Sequence, residues 1–280
     1  MNGTLYVCAT PIGNLEDITI RTINVLKSVD FIAAEDTRRT LGLLNHYEIS
    51  KPLVSYHEHN KNTRGPEIIE RLREGQSAAV VSDAGMPGIS DPGEDIVKLA
   101  IDEGIRVEVL PGPSAFVTAL VASGLPAGRF MFFGFLGRDK KERRKQLESI
   151  SREKCTIIFY EAPHRLLGML ESCLEILGNR KISVAREITK LYEETIRGDI
   201  QHCIDHFKNS KPRGEFVVVI EGSSYDAEYE AEHEMEGMTS RECVISLMEK
   251  EGLSKKDAIK KTAKLKKVHK NEVYKETLDI

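Results

Sequence analysis

Apolar residues along this chain come in short β-branched runs, separated by longer stretches in which they recur every three or four positions. TLYVCAT, DFIAAE, PLVSY, SAAVVSD and RVEVLPG read as strands, with TIRTINVLKSV, RGPEIIERLREG and EDIVKLAIDEG as helices among them. Such alternation predicts an α/β fold with a parallel or mostly parallel sheet. A second series begins after SGLPAGR. Its strands are FMFFGF, KCTIIFYE, KISVARE, YEETIRG and GEFVVVIEG, with helices around DKKERRKQLESIS and PHRLLGMLESCLEIL. The strands near 184 and 194 follow each other without a helix, so an antiparallel pair and a mixed sheet are expected there. This reading divides the chain into α/β domains at 1–124 and 125–222.

The pattern then changes. Asp226, Glu228, Glu230, Glu232, Glu234 and Glu236 stand without lysine or arginine between them, which makes 223–237 an acidic, solvated linker. Residues 238–280 are expected to form a small basic, helix-turn-helix-like module. Thr239 with Glu242, and Ser254 with Asp257, have capping-box spacing; Gly252 is placed to stop the first helix, and VHKNEVYKETL supplies a third. Between 254 and 275 nine lysines face only Asp257 and Glu272, a local charge of +7. That is either a solvated helix face or a contact for nucleic-acid phosphates.

Composition narrows the classes. With 280 residues, 40% hydrophobic and 30% charged, the chain has ample core for one or two globular domains. A net charge of −4 gives no general attraction to nucleic acid, so such binding needs a local patch. No secretory leader or membrane-length apolar run is visible, so a cytoplasmic protein with no membrane partner is expected. Cys8, Cys155, Cys173, Cys203 and Cys243 lack metal-ligand or redox spacing and read as reduced thiols packed as small hydrophobes.

Candidate chemistry gathers at strand ends. TPIGN follows the first strand, SDAGMPG the fourth and PGPSA the fifth. In open α/β sheets ligands bind beyond the carboxyl ends of strands, so these loops converge on one site. Glycine lets the main chain approach a ligand, while proline stiffens the loop and removes a donor. Neither GxxxxGK nor GxGxxG occurs, which argues against triphosphate and Rossmann dinucleotide ligands.

Taken together, TPIGN (10–14), EDTR (35–38), SDAGMPGISDPG (82–93), PGPSA (111–115), FYEAPHR (159–165), ARE-TK (185–190) and RGEFVVVIEG (213–222) resemble the motif set of the tetrapyrrole methylase superfamily. More narrowly they resemble its ribosomal RNA branch, the small-subunit methyltransferase I type. The resemblance implies two α/β domains with S-adenosyl-L-methionine in the cleft between them, and a homodimer. It implies methylation of the ribose 2′-hydroxyl of a cytidine in the decoding region of 16S rRNA, position 1402 in the standard RNA numbering, with RNA rather than DNA as partner. Cofactor contacts would fall on Asp83, Gly85, Met86, Ser114, Ala115, Tyr160 and Glu161, with Gly214 and Glu215 closing the adenine pocket. Where many porphyrin-modifying relatives carry Gly-Asp-Pro, this chain has Ser82-Asp83-Ala84-Gly85, which speaks against a tetrapyrrole substrate.

A ribose hydroxyl is a poor nucleophile until its proton is removed or shared. Glu35, Asp36 and Arg38, and Arg186, Glu187 and Lys190, are the groups placed for that task; Asp36, Glu187 and Lys190 are the catalytic candidates, and salt bridges fixing strand ends are the competing explanation. Arg38, His57, Asn60 and Arg165 are candidates for substrate contact, although Arg165 could equally pair with Glu161. His57 and His59 flank Glu58, but no third ligand of convincing spacing accompanies them, so no metal is expected. RDKKERRK (138–145) is either an exposed helix face or part of an RNA track, and Tyr56, Phe135 and Tyr160 could stack on bases. Two rival functions stay open: a small-molecule tetrapyrrole methyltransferase and a non-catalytic ribosome-assembly protein.

Overall fold

The computed structural model describes residues 2–210, 212–224, 237–266 and 268–278. They fall into two compact units, 1–222 and 223–280. The acidic run from Asp226 to Glu236 lies outside the described residues.

The first unit starts with β1 (Thr4–Cys8), a 3-10 turn (Leu15–Asp17), α1 (Ile20–Ser28), β2 (Phe31–Ala34), α2 (Thr37–His46) and β3 (Leu53–Ser55). It continues with α3 (Lys61–Arg73), β4 (Ala78–Val81), α4 (Gly93–Asp102) and β5 (Arg106–Leu110). The five strands make an all-parallel sheet in the order β3-β2-β4-β1-β5. Every residue of β2 and β4 is buried, as a parallel sheet covered on both faces requires. Alternate residues go to opposite layers. Phe31, Ala33, Ala78 and Val80 pack under α3 and α4, while Ile32, Ala34, Ala79 and Val81 pack against Leu26 of α1 and Leu44 of α2.

α5 (Ala115–Ser123) carries the chain to the second sheet, built from β6 (Phe130–Phe135), β7 (Thr156–Glu161), β8 (Lys181–Arg186), β9 (Glu194–Asp199) and β10 (Phe216–Ile220). Its order is β6-β7-β10-β8-β9, parallel only between β6 and β7. The expected antiparallel pair is β8 with β9. Helices α6 (Lys140–Ser149), α7 (Leu166–Leu177) and α8 (Ile200–Asn209) cover one face. α5 covers the other: Ala119 and Leu120 pack on Ile158, Ala185, Val217 and Val219. So α5, which precedes residue 124 in sequence, belongs by packing to the second sheet. All five cysteines are free.

The second unit holds α9 (Ser240–Glu251), α10 (Lys255–Leu265) and α11 (Lys270–Glu276) around Cys243, Val244, Leu247, Ala258, Ile259 and Val273. Thr239 and Glu242 form a complete capping box, and Gly252 ends α9 in the left-handed region. Ser254 caps α10: its hydroxyl accepts from Asp257 N–H at 3.3 Å and donates to the Asp257 carboxylate at 2.6 Å. No described helix is long and apolar enough to cross a membrane.

Candidate active site

Strand order determines where the loops meet. β1 is followed by β2 on one side and β4 by β5 on the other, so the crossovers leave adjacent strands in opposite directions and open a crevice at their carboxyl ends. Two backbone hydrogen bonds pin the loops there: Thr10 N–H to Gly85 O at 2.9 Å and Gly85 N–H to Thr10 O at 3.0 Å. Gly85 has φ +82, a conformation for which glycine pays no steric penalty. Gly112, in the third loop, lies so close to Ala9 that a Cβ there would come within 2.7 Å of the alanine methyl.

The same loops meet the second sheet. Asn14 N–H donates to Thr189 Oγ1 at 3.1 Å, and a Cβ on Gly13 would sit 2.5 Å from Lys190 Cγ. Residues 187–190, between β8 and β9, are held in a strained shape, with Glu187 at φ +51 and Thr189 at φ +67. Non-glycine residues with positive φ cost free energy and cluster at functional sites. Gly214, also at positive φ, makes room for the Glu187 side chain, whose Oε1 would be 2.3 Å from any Cβ there.

Between these loops lies a cavity of about 410 Å³, within the usual range of small-molecule sites, roughly 300–1,000 Å³. Of the sequence candidates, Gly85, Met86, Ser114, Ala115, Tyr160, Glu161, Glu187, Lys190 and Glu215 line it. An aromatic wall backs them: Phe132 stacks on Phe116 at 4.6 Å, and Tyr160 contacts both Phe132 and Phe135. Burial pushes the Tyr160 hydroxyl up.

Electrostatically the lining is acidic. Glu161, Glu187 and Glu215 face one lysine, Lys190, whose ammonium donates to Glu187 Oε1 at 3.0 Å. Glu161 has no exposed side-chain area. Its Oε1 accepts from Ala162 N–H at 2.8 Å and lies 3.3 Å from Arg165 Nε, while its Oε2 has no hydrogen-bond partner among the described residues. Burial raises its pKa, against the lowering effect of the Ala162 amide and the Arg165 charge. A buried carboxylate oxygen with nothing to accept from is costly, and a ligand bearing a donor or a positive charge would relieve it. The cavity therefore fits a cationic, partly apolar ligand and is poorly suited to a phosphate.

The remaining candidates lie elsewhere. Asp36 caps α2 and is held by Arg38, with Oδ1 2.8 Å from Arg38 N and Oδ2 3.2 Å from Nη2; that guanidinium keeps its carboxyl below the usual range. Asp83 accepts from Asp36 N–H and from Arg39, both at 3.1 Å, tying the long loop to α2. Asn60 shapes the turn before α3, accepting from His57 N–H at 2.8 Å and donating to Ser55 O at 3.1 Å. His57 Nδ1 is buried without a partner, and no metal-binding group forms among the described residues. Arg165 turns inward, with only 16% of its side chain exposed. Its Nη2 donates to Leu136 O at 2.6 Å and Gly137 O at 3.2 Å. Tyr56 is buried and unavailable for stacking. Sequence reasoning had not singled out Ile12, Phe116, Ile188 and Val217, which also line the cavity.

The sequence profile of the tetrapyrrole (corrin/porphyrin) methylases aligns with residues 4–203. The chain belongs to the tetrapyrrole methylase family. Within that family it is 53% identical over 272 residues to the ribosomal RNA small subunit methyltransferase I of Bacillus subtilis, covering 97% of this chain and 93% of that one. The relative of the same name from Thermotoga maritima is 51% identical over 220 residues, which are 79% of this chain but 99% of the relative. The fold is also that of a uroporphyrin-III C-methyl transferase from Thermus thermophilus, solved in complex with S-adenyl homocysteine. There the TM-score is 0.55 at 18% identity, with 78% of this chain and 97% of that one covered.

Proposed function

We propose that this protein transfers a methyl group from S-adenosyl-L-methionine to the ribose 2′-hydroxyl of a cytidine in the 16S rRNA of the small ribosomal subunit. The observation that carries the reading is the acid-lined cavity, with its unpartnered Glu161 Oε2, in a chain about half identical over nearly its whole length to relatives named for ribosomal RNA methylation. When bound, the cofactor supplies an electrophilic methyl on a sulfonium sulfur. Glu161 and the loop carbonyls around Gly85 and Ser114 would hold its cationic part; Met86, Ile188 and Val217 would pack its apolar surfaces.

The chain's own contribution is orientation and proton handling. Fixing acceptor and donor in line can supply roughly 7–11 kcal/mol of barrier reduction. Glu187 is the proton acceptor in this reading, and Lys190, 3.0 Å away, stabilises the alkoxide that forms. Asp36 is a weaker base because Arg38 stabilises its carboxylate, so it serves to hold the loops.

The porphyrin reading is supported by the family-level profile and by fold likeness at low identity, whereas the relatives about half identical to this chain are named for ribosomal RNA methylation. Work in the cytoplasm follows from a ribosomal substrate. Exposed apolar residues along α5, Val117 at 43% and Val121 at 74%, support a homodimer, which light scattering would test. For the reaction itself, radiolabelled cofactor is incubated with isolated small subunits and with naked RNA. Label recovered in 2′-O-methylcytidine supports the function; label in another nucleoside, or none although the cofactor binds, refutes it.

A further inference from the structure

Segment 138–145 carries Arg138, Lys140, Lys141, Arg143, Arg144 and Lys145 against Asp139 and Glu142, a local +4 in a chain of net −4. Two of these cations are used within the fold. Arg143 Nε donates to Ser172 Oγ at 3.1 Å, and Arg144 pairs with Glu148 at 2.8 Å and with Glu175. Arg138, Lys140, Lys141 and Lys145 are exposed and carry no ion pair or side-chain hydrogen bond among the described residues.

Their placement opposes helix stability. Lys140 and Lys141 occupy the first two positions of α6, where the helix dipole disfavours positive charge, and Lys141 and Lys145 are like charges four apart on one face. The patch is also fixed relative to the cavity. Phe135, 53% exposed, lines the cavity rim. Leu136 and Gly137 follow it, with both carbonyls held by Arg165, which also sits against Glu161 of the cavity wall. Gly137 N–H donates to Gln146 Oε1 at 2.7 Å, tying the same turn to the body of α6. One arginine thus links the buried cavity carboxylate to the start of the unpaired cations.

The Thermotoga relative adds an independent constraint. It is spanned almost end to end by 220 residues, a length accounted for by a body like the first unit, 1–222. A relative named for ribosomal RNA methylation thus leaves no room for a counterpart of the lysine-rich second unit, which favours a recognition surface within the first.

We propose that Arg138, Lys140, Lys141 and Lys145 form a phosphate track beside the cavity, gripping the single-stranded RNA that carries the target ribose while Phe135 stacks on one of its bases. The inference rests on the rRNA methyltransferase reading above. It gives Arg165 the part of a positioning residue that holds the track at the rim.

The test uses the full chain with Arg138→Glu, Lys140→Glu and Lys141→Glu combined. A control reverses the exposed Lys27, Lys181 and Lys208. Methyl-transfer kinetics on small subunits are measured across KCl concentrations, beside anisotropy titration of a labelled single-stranded oligonucleotide of the target region. The track variant should raise KM for RNA at least tenfold and flatten the salt dependence by about two units, since each single-strand phosphate contact contributes about 0.7. Cofactor affinity and kcat at saturating substrate should stay at wild-type values, and the control should leave all four quantities unchanged. A track variant matching the control in KM and salt slope overturns the inference. So does a variant that loses subunits yet keeps the oligonucleotide, which would assign the patch to a ribosomal protein. If the wild type methylates no rRNA but its oligonucleotide binding depends on the track, the function reading fails and the phosphate track stands.

Discussion

The two halves of the cavity are made of different material. From the parallel sheet come main chain, small side chains and apolar ones: Gly85, Ser114 and Ala115, with Ile12 and Met86 beside them, on loops pinned by main-chain bonds such as Thr10 to Gly85. From the mixed sheet come the groups with chemistry, Tyr160, Glu161, Glu187, Lys190 and Glu215. The contrast follows from topology. Parallel strands deliver many chain ends to one edge, where loops pack as closely as Gly112 does on Ala9 and present main chain and uncharged side chains to the cavity. The antiparallel β8–β9 connection can instead bend into a strained shape and project Glu187 and Lys190 across the gap. One half sets position; the other handles charge.

Breaking the chemical half should have the largest effect. Glu187→Gln is expected to lower kcat by roughly 10²- to 10⁴-fold, the usual worth of a positioned proton acceptor, with cofactor affinity retained. Turnover and calorimetric titration of the same preparation check both parts. Next comes the junction. Gly13→Ala places a methyl 2.5 Å from Lys190 Cγ and 2.9 Å from Ile188 O, so the two halves must move apart, and displacement by an ångström can cost about 10²-fold in rate. A rate within twofold of wild type would show that the two halves need not touch.

A smaller effect is expected at Glu161, read through binding and pH. Glu161→Gln should weaken the cofactor by about 10- to 100-fold, the worth of a charged hydrogen bond. Without ligand the same change should stabilise the fold, in a pH-dependent way. Burial raises the Glu161 pKa above its ordinary value, so its contribution to stability is full below the unfolded value and is lost as pH rises through the folded one. The melting-temperature advantage of the variant should therefore be small near pH 4 and grow on going to neutral pH. Smallest is Asp36→Asn. Asparagine caps a helix as well as aspartate, and surface changes usually stay within about 0.5 kcal/mol, so turnover should change by no more than about twofold. A 10²-fold loss would move the proton acceptor to the parallel-sheet half.

Much of this division was legible in the sequence. Short β-branched apolar runs mark all ten strands, and the glycine-proline loops mark the ligand end. Pattern reports that a residue is buried, not against what. α5 therefore reads as the last helix of the first series although Ala119 and Leu120 pack on the second sheet, and α8 was not singled out despite its buried face. Charged residues at strand ends look alike in sequence whether they serve a ligand or a loop. Asp83 and Arg165 are engaged in holding chain segments, whereas Glu161, close beside Arg165, keeps one oxygen free. Apolar lining from Ile12, Phe116, Ile188 and Val217 depends on the registry of two sheets, which no local stretch encodes.

The most direct test of the central claim is amide hydrogen exchange of the full chain with and without S-adenosyl-L-methionine. The account predicts protection at 84–86, 114–116, 160–164, 187–190 and 215–217, the loops that surround the cavity. Protection confined to one sheet, or located away from these loops, would contradict a site built jointly by both.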